Sequence, residues 1–361
     1  MFAKFTTHIN SYWSFLKGKK IGIAISGGID SVVLTHLLHQ LEYSIVLAHC
    51  NFKLRGKASD KDEAFVKQLA KQLEVPAFTI AFDTEIVAKQ EKISIQLAAR
   101  KLRYKWFEEL IMANEFDYIL TAHHADDNLE TFLINTIRGT GLDGLTGIPQ
   151  QNGVIIRPLL PFTRTEIERY ATNNTISWRE DLSNAEAKYL RNKIRHQVIP
   201  ILKEINPNLL KSFQNTQEHL KETKQLIAAY IENSKNTFVS LEGNGTQKIN
   251  IKKLEKLDNP KAYLYELLKA YGFTEWNDIT DLLTAQSGKQ IFSKTYRLIK
   301  DRDYLLLESR EKSKKSREVF TINENDVAFE NSEIALKIQD LGFNTQNSIH
   351  KTQYARLNTH R

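Results

Sequence analysis

The chain has 361 residues, 41% of them hydrophobic and 26% charged, enough length to bury a sizeable core in about two or three domains. No apolar run approaches the roughly 18 residues of a membrane span, and the first twenty residues lack the apolar core and cleavage site of a secretion signal. A cytoplasmic protein with no membrane partner is therefore expected. The single cysteine, Cys50, excludes internal disulfides and any CxxC metal site. A net charge of +7 fits either an ordinary solvated surface or an electrostatic footprint for nucleic acid. The second reading needs clustered charge, and "KYLRNKIRH" supplies it with Lys188, Arg191, Lys193, Arg195 and His196.

The first 180 residues alternate apolar β-like runs with helical patterns. "IGIAIS", "SIVLAH", "AFTIAF" and "DYILTA" read as strands, separated by helices over 31–41, 59–73 and 94–114. This alternation predicts an α/β domain: a mostly parallel sheet with helices on both faces, whose ligands bind beyond the carboxyl ends of the strands. From about 185 to 235 the pattern is helical and polar, interrupted by Pro200 and Pro207, and further helices are expected over 259–271 and 276–285. "SGKQIF", "TYRLIK" and "YLLLES" then predict a short antiparallel meander. "SREKSKKSRE" reads as a charged linker. The resulting division is a catalytic domain over 1–205, a mainly helical middle domain over 206–310 ending in short strands, and a small α+β C-terminal domain over 311–361.

The first strand runs into Ser26-Gly27-Gly28-Ile29-Asp30-Ser31. Two glycines let the backbone approach an anion, and the helix that follows aims its free N–H groups at the same place. A Walker A loop would continue with a lysine, which is absent here. Asp30 beside phosphate implies a mediating cation, for which magnesium is the natural choice, unless it merely caps the helix. The segment "SIQLAARKLRYKWF" places Arg100, Arg103, Tyr104 and Phe107 on one helical face, leaving Leu97, Leu102, Trp106 and Leu110 mainly to the core. "TAHHADDNLE" brings His123, His124, Asp126 and Asp127 to a strand end. Asp127 and Glu130 fit the start of a helix with a capping box, while the paired acids and histidines fit metal, amine or phosphate binding and proton transfer. Zinc is disfavoured because no cysteine lies nearby. A glycine-rich loop over 138–149 follows, of a length that is usually functional or mobile.

The order SGGxDS after a first strand resembles the PP-loop of ATP pyrophosphatases, which resemble one another in an adenine nucleotide α-hydrolase-like fold. Taken with "AHCNFKLRGKASDKDEAFV", "SIQLAARKLRYKWF", the HHADD segment and "RPLLPFTRTEIERY…KYLRNKIRH", the chain over roughly 20–202 resembles the tRNA(Ile)-lysidine synthetase family. That resemblance implies a ligase that joins the ε-amine of L-lysine to C2 of the wobble cytidine in an isoleucine tRNA with a CAU anticodon. ATP is the co-substrate and Mg2+ the cofactor. The cytosine O2 attacks the α phosphate, pyrophosphate leaves, lysine displaces AMP, and the tRNA changes from methionine to isoleucine identity.

On this resemblance Ser26, Gly27, Gly28, Ile29, Asp30 and Ser31 hold ATP. Asp30 and Asp126 hold magnesium, Asp126 and Asp127 position lysine, and His123 with Arg100 and Arg103 steadies phosphate charge. Lys188, Arg191, Lys193 and Arg195 bind tRNA phosphates, and the oligomeric state stays open, a homodimer being one option. The chain departs from the family at Phe52, where many members carry histidine. It also lacks the family's late basic, glycine-containing segment, so a shortened or diverged third domain is expected. Thiolating relatives need sulfur-carrying cysteines, which one cysteine cannot supply. A catalytically silent ATP- or RNA-binding module is the alternative from a different class.

Overall fold

The computed structural model describes residues 1–179, 190–243 and 245–310, with the backbone of three short strands beyond. Chain contacts divide it into two compact units, Met1–Ile227 and Ala228–Arg361. The division between the units falls inside a long helix, Leu209–Lys235.

The first unit opens with helix α1 (Phe2–Trp13), which buries Phe5, Ile9 and Trp13 at four-residue intervals. The sheet contains β1 (Lys20–Ala24), β2 (Ser44–Asn51), β3 (Ala77–Ala81), β4 (Tyr118–Leu120), β5 (Gln151–Asn152) and β6 (Ile155–Ile156). Their order is β3-β2-β1-β4-β6-β5, and β5 alone runs antiparallel. The helices between them are α2 (Ile29–Gln40), α3 (Lys57–Gln72), α4 (Thr84–Glu91), α5 (Ile95–Met112), α6 (Ala125–Ile137), α7 (Leu142–Leu145) and α8 (Arg164–Asn173). The sheet is covered on both faces, as its composition predicts. Along β2, Ile45 and Leu47 point into the core shared with α1, α2 and α8. The alternating Val46 and Ala48 point into a second core with Trp106, Phe107 and Phe116. Helix α2 buries apolar residues on nearly every side, as a helix enclosed by the fold must.

Topology sets the position of the site. From β1 the chain moves to β2 and β3 on one side and later returns to β4 on the other. The crevice beyond the carboxyl ends of β1 and β4 is thus a topological switch point, and it receives both the Ser26–Ser31 turn and the His123–Asp127 segment.

Several local expectations need correction. Leu97 is exposed, because α5 packs through Ala98, Trp106 and Phe107 instead. Pro200 does not end its helix: α9 (Leu190–Lys193) passes through a π turn at Ile194–Val198 into α10 (Ile199–Ile205), and the proline sits just past that junction, in the first turn of α10. Pro207 does separate α10 from α11 (Leu209–Lys235). The loop over 138–149 is pinned rather than loose. Asn135 donates to the Gly144 carbonyl at 2.9 Å, the Ile148 N–H to Asn128 at 2.7 Å, and Gln217 to the Leu145 carbonyl at 2.6 Å.

In the second unit a five-stranded antiparallel sheet runs β7-β8-β11-β10-β9, from β7 (Val239–Leu241), β8 (Gln247–Asn250), β9 (Gln290–Phe292), β10 (Tyr296–Asp301) and β11 (Tyr304–Ser309). The β9–β11 meander matches its sequence signal; β7 and β8 lacked one. Phe238, Ile249, Leu264, Leu268, Leu298 and Leu305 anchor its separate core with helices α12 (Ile251–Leu254), α13 (Pro260–Leu268) and α14 (Trp276–Asp281). Three further strands, Ala328–Glu330, Ala335–Lys337 and Arg356–Asn358, pair antiparallel. Most of the charged linker lies outside the described residues.

A glycine in the central strand has a packing reason. A Cβ on Gly22 would sit 2.8 Å from ring atoms of Phe116, which is buried under the sheet. Gly22→Ala should therefore lower stability by about 1–3 kcal/mol, the cost of overpacking a filled core. Urea unfolding checks this, and an unchanged midpoint would mean that the ring moves aside freely.

Candidate active site

The turn after β1 is held by its own serines. Ser31 Oγ accepts from the Ser26 N–H at 3.2 Å and donates to the Gly28 carbonyl at 2.9 Å. Ser26 Oγ accepts from the Gly28 N–H at 3.2 Å. Gly27 has φ +93°, a left-handed conformation that favours glycine, and Gly28 caps α2. His49 at the end of β2 is buried and bonds through Nδ1 to the Ile25 carbonyl at 2.9 Å, which ties the second strand to the base of the turn.

Asp30 lies at the start of α2, but helix capping does not account for it. Arg164 Nη1 donates to both of its oxygens, at 2.8 and 2.7 Å. Burial pushes the Asp30 carboxyl above its ordinary range, opposed by His124 and Arg164 and reinforced by Asp127. Opposite stands His124, whose Nε2 is 3.7 Å from Asp30 and 3.5 Å from Asp127, and whose Nδ1 is 3.8 Å from Asp126. Three carboxylates therefore surround one buried imidazole. His124, more than His123, is the hub.

Each remaining acid is matched by a cation from later in the chain. Asp126 accepts from Lys203 Nζ at 2.7 Å and from the Arg164 N–H at 2.8 Å. Burial alone would raise its carboxyl, yet these two donors overcome it and hold it low. Asp127 is likewise held low against burial, by His124, His123 and Arg191. It accepts from the His124 N–H at 3.1 Å, so the capping interaction expected for this turn runs from Asp127 back to His124. Glu130, with a side chain only 1% exposed, receives Arg191 Nε at 2.8 Å and Arg195 Nε at 2.5 Å.

Arg191 and Arg195, expected to meet tRNA phosphates, are partly exposed and already paired with acids. Their guanidiniums neutralise Glu130 and Asp127, and a carboxylate buried as deeply as Glu130 requires such partners. Lys193 is exposed and, among the described residues, makes no ion pair. Lys188 lies outside the described residues.

Arg100 and Arg103 behave differently. Both are exposed and pair with no acid among the described residues. Arg100 rests on the Tyr104 ring at 4.7 Å, and Arg103 on the Phe52 ring at 5.2 Å. Phe52, stacked on Phe82 at 5.9 Å, is thus a platform for Arg103. His123 bonds through Nδ1 to Thr121 Oγ1 at 2.9 Å. Burial pulls its pKa down to about 4, with Asp127 opposing and Arg157, Arg191 and Arg103 reinforcing. At neutral pH it is an uncharged hydrogen-bonding group.

Magnesium ligation by Asp30 and Asp126 also needs correction. Their oxygens suit the ion chemically. Arg164 nevertheless occupies both oxygens of Asp30, while Lys203 and the Arg164 N–H occupy those of Asp126. No group of three or more ligating side chains among the described residues is arranged to hold a metal. The acids as placed do not fit the ion.

Arg164, Lys203 and Glu130 were not assigned from sequence. "TRTE" reads as a capping box, which Thr163 and Glu166 do form, and nothing local marks the intervening arginine as a partner of Asp30 134 positions away.

A strand, a two-glycine turn with Asp30 and Ser31, and an acid-rich segment at the neighbouring strand end define a PP-loop protein; the model of the PP-loop domain matches residues 1–202. The model of the TilS substrate binding domain matches residues 242–311. The tRNA(Ile)-lysidine synthase of Porphyromonas gingivalis W83 is 42% identical over 286 residues, 78% of this chain and 62% of that protein. Its counterpart in Parabacteroides distasonis is 41% identical, covering 85% and 70%. That of Chlorobaculum tepidum is 38% identical, covering 80% and 90%. The chain belongs to the tRNA(Ile)-lysidine synthase family. It spans about three fifths of the length of the Porphyromonas relative.

The depressed pKa of His123 has a measurable consequence. The unfolded imidazole takes up a proton near its ordinary 6.5 and the folded one only near 4. Its contribution to stability is therefore complete above about pH 6.5 and is lost as the pH falls toward 4. His123→Gln should flatten the decline in stability across that window, measured by urea unfolding at several pH values. A variant that tracks the wild-type curve would show that His123 protonates freely.

Proposed function

We propose that the chain ligates L-lysine to C2 of the wobble cytidine of an isoleucine tRNA with a CAU anticodon, using ATP and releasing AMP and pyrophosphate. The observation that carries this reading is the succession along one chain of a PP-loop domain and a substrate binding domain specific to this family. A silent nucleotide-binding module gives no reason for the second domain or for the cation-matched acids at the switch point.

The chemistry requires activation of an inert ring carbonyl. The cytosine O2 forms a bond to the α phosphorus, and the bond to the bridging oxygen breaks with pyrophosphate taking the electron pair. The lysine amine then attacks C2, and O2 departs as part of AMP. The Ser26–Ser31 turn cradles the phosphates through backbone approach and the N-terminus of α2. Arg100 and Arg103, unpaired with acids among the described residues and held on aromatic rings, supply positive charge to the phosphates. Asp126 and Asp127, kept ionised, hold the incoming ammonium; Lys203 already makes such a contact with Asp126 at 2.7 Å. The amine must lose a proton before attack, its free pKa being about 10.4. Asp30, whose carboxyl burial raises above its ordinary range, is the acceptor assigned to that proton, once Arg164 releases one of its oxygens. Magnesium enters as the companion of the nucleotide's phosphates, with no protein ligand assigned. The second unit takes the role of tRNA binding, and the product changes decoding from methionine to isoleucine.

Nucleoside analysis of tRNA incubated with the protein, ATP and isotope-labelled lysine tests this reading. Lysidine should carry the label, and its formation should need all three substrates. Asp30→Ala should reduce it by at least about a hundredfold, the scale of one positioned acid–base group, while tRNA still binds. Nucleotide binding with no modified nucleoside would leave the silent module as the better reading.

A further inference from the structure

We propose that Arg157 receives the α phosphate of the nucleotide on the edge of its guanidinium that carries Nε and Nη2. The inference rests on the reading above, in which AMP passes to the cytosine oxygen at this strand edge. Arg157 follows Ile156 directly at the carboxyl end of β6 and is 5% exposed. Its Nη1 donates to the Pro149 carbonyl at 2.8 Å. Nε is closed off from solvent without a partner, and among the described residues no acid pairs with the guanidinium. A carbonyl dipole offsets part of the cost of burying a cation but leaves its charge unmatched. Arg164, Arg191, Arg195 and Lys203 each face a carboxylate; Arg157 does not.

Strand register directs this residue toward α5. Strands β4 and β6 pair through Ile119–Ile155 and Leu120–Ile156, and the Thr121 N–H extends the ladder to the Ile156 carbonyl at 2.9 Å. Ile119 and Ile155 face the core of Trp106 and Phe107, whereas Leu120 and Ile156 face the opposite one. Alternation therefore turns Thr121 and Arg157 to the α5 side. There Thr121 Oγ1 holds Nδ1 of His123 at 2.9 Å, and the imidazole feels the charges of both Arg157 and Arg103. Asp127, the acid that His123 feels most, is already matched by Arg195 at 3.1 Å.

The free edge calls for an anion with two oxygens side by side, which a guanidinium fork binds in parallel. A phosphoryl group fits better here than the carboxylate of lysine. Negative charge builds on the α phosphoryl oxygens during transfer, and the nearby Arg103, resting on Phe52, is likewise unpaired with acids among the described residues. The Pro149 carbonyl fixes the plane of the guanidinium from its other side, so the fork is oriented before the nucleotide arrives. A lysine at this position would offer the charge without the fork.

The test uses the full chain with AMP, adenosine and inorganic pyrophosphate as probes, titrated by calorimetry at fixed ionic strength. Arg157→Gln should weaken AMP binding at least about tenfold, the value of a charge-assisted contact, while adenosine and pyrophosphate stay within about twofold. Arg157→Lys, which keeps the charge, should fall between the two, and it decides the matter alone if the glutamine variant does not fold. Wild-type AMP affinity in every folded variant would overturn the assignment, as would a loss shared equally with adenosine or pyrophosphate. Weakened binding of lysine or tRNA with AMP unchanged would give the guanidinium to those substrates and overturn it too. If the variants lose the preference for AMP over adenosine, yet the wild type forms no lysidine, the phosphate site stands and the assigned reaction falls.

Discussion

Burying carboxylates at one edge of a parallel sheet is the constraint on which this structure turns. Asp30, Asp126 and Asp127 lie beyond the carboxyl ends of β1 and β4 around the buried His124, and Glu130 is buried further along α6. Charges taken out of water must be matched by partners. The matching cations are Arg164, Arg191, Arg195 and Lys203, all downstream of the central strands. The segment from α8 to α10 therefore both completes the site and anchors itself there. Arg191 and Arg195, which resemble an open basic surface in sequence, are partly exposed residues that reach inward to buried acids.

The same logic sorts the remaining arginines. Arg100 and Arg103 rest on Tyr104 and Phe52 rather than on acids. An aromatic face holds a guanidinium in place without neutralising it, so its charge remains available to an anion. Phe52 thereby acquires a supporting part. His123 contributes differently again, since burial keeps it neutral and able to direct a hydrogen bond without adding charge.

The sheet was legible because its signals are local. The runs around Ile21, Ile45, Phe78 and Tyr118 are short, apolar and rich in branched residues, and the glycine turn follows the first of them directly. The His123–Asp127 segment was legible for the same reason. Strands β5 and β6 escaped because two-residue strands have no period to detect. The ion-pair partners escaped for another reason. Asp30 and Arg164 are 134 positions apart, and Asp126 and Lys203 are 77 apart. Only the folded chain brings them together. Leu97 shows the opposite error, an apolar residue at helical spacing that faces solvent because Ala98 fills the contact.

Central to the account is activation of a pyrimidine oxygen by AMP at this strand edge. The most direct measurement follows that oxygen. A tRNA carrying 18O at the C2 position of its wobble cytidine, turned over with ATP and lysine, should release AMP bearing one heavy oxygen on its phosphate. Unlabelled AMP accompanying lysidine formation would mean that the C2 oxygen leaves by another route, and the adenylation assigned to this site would be contradicted.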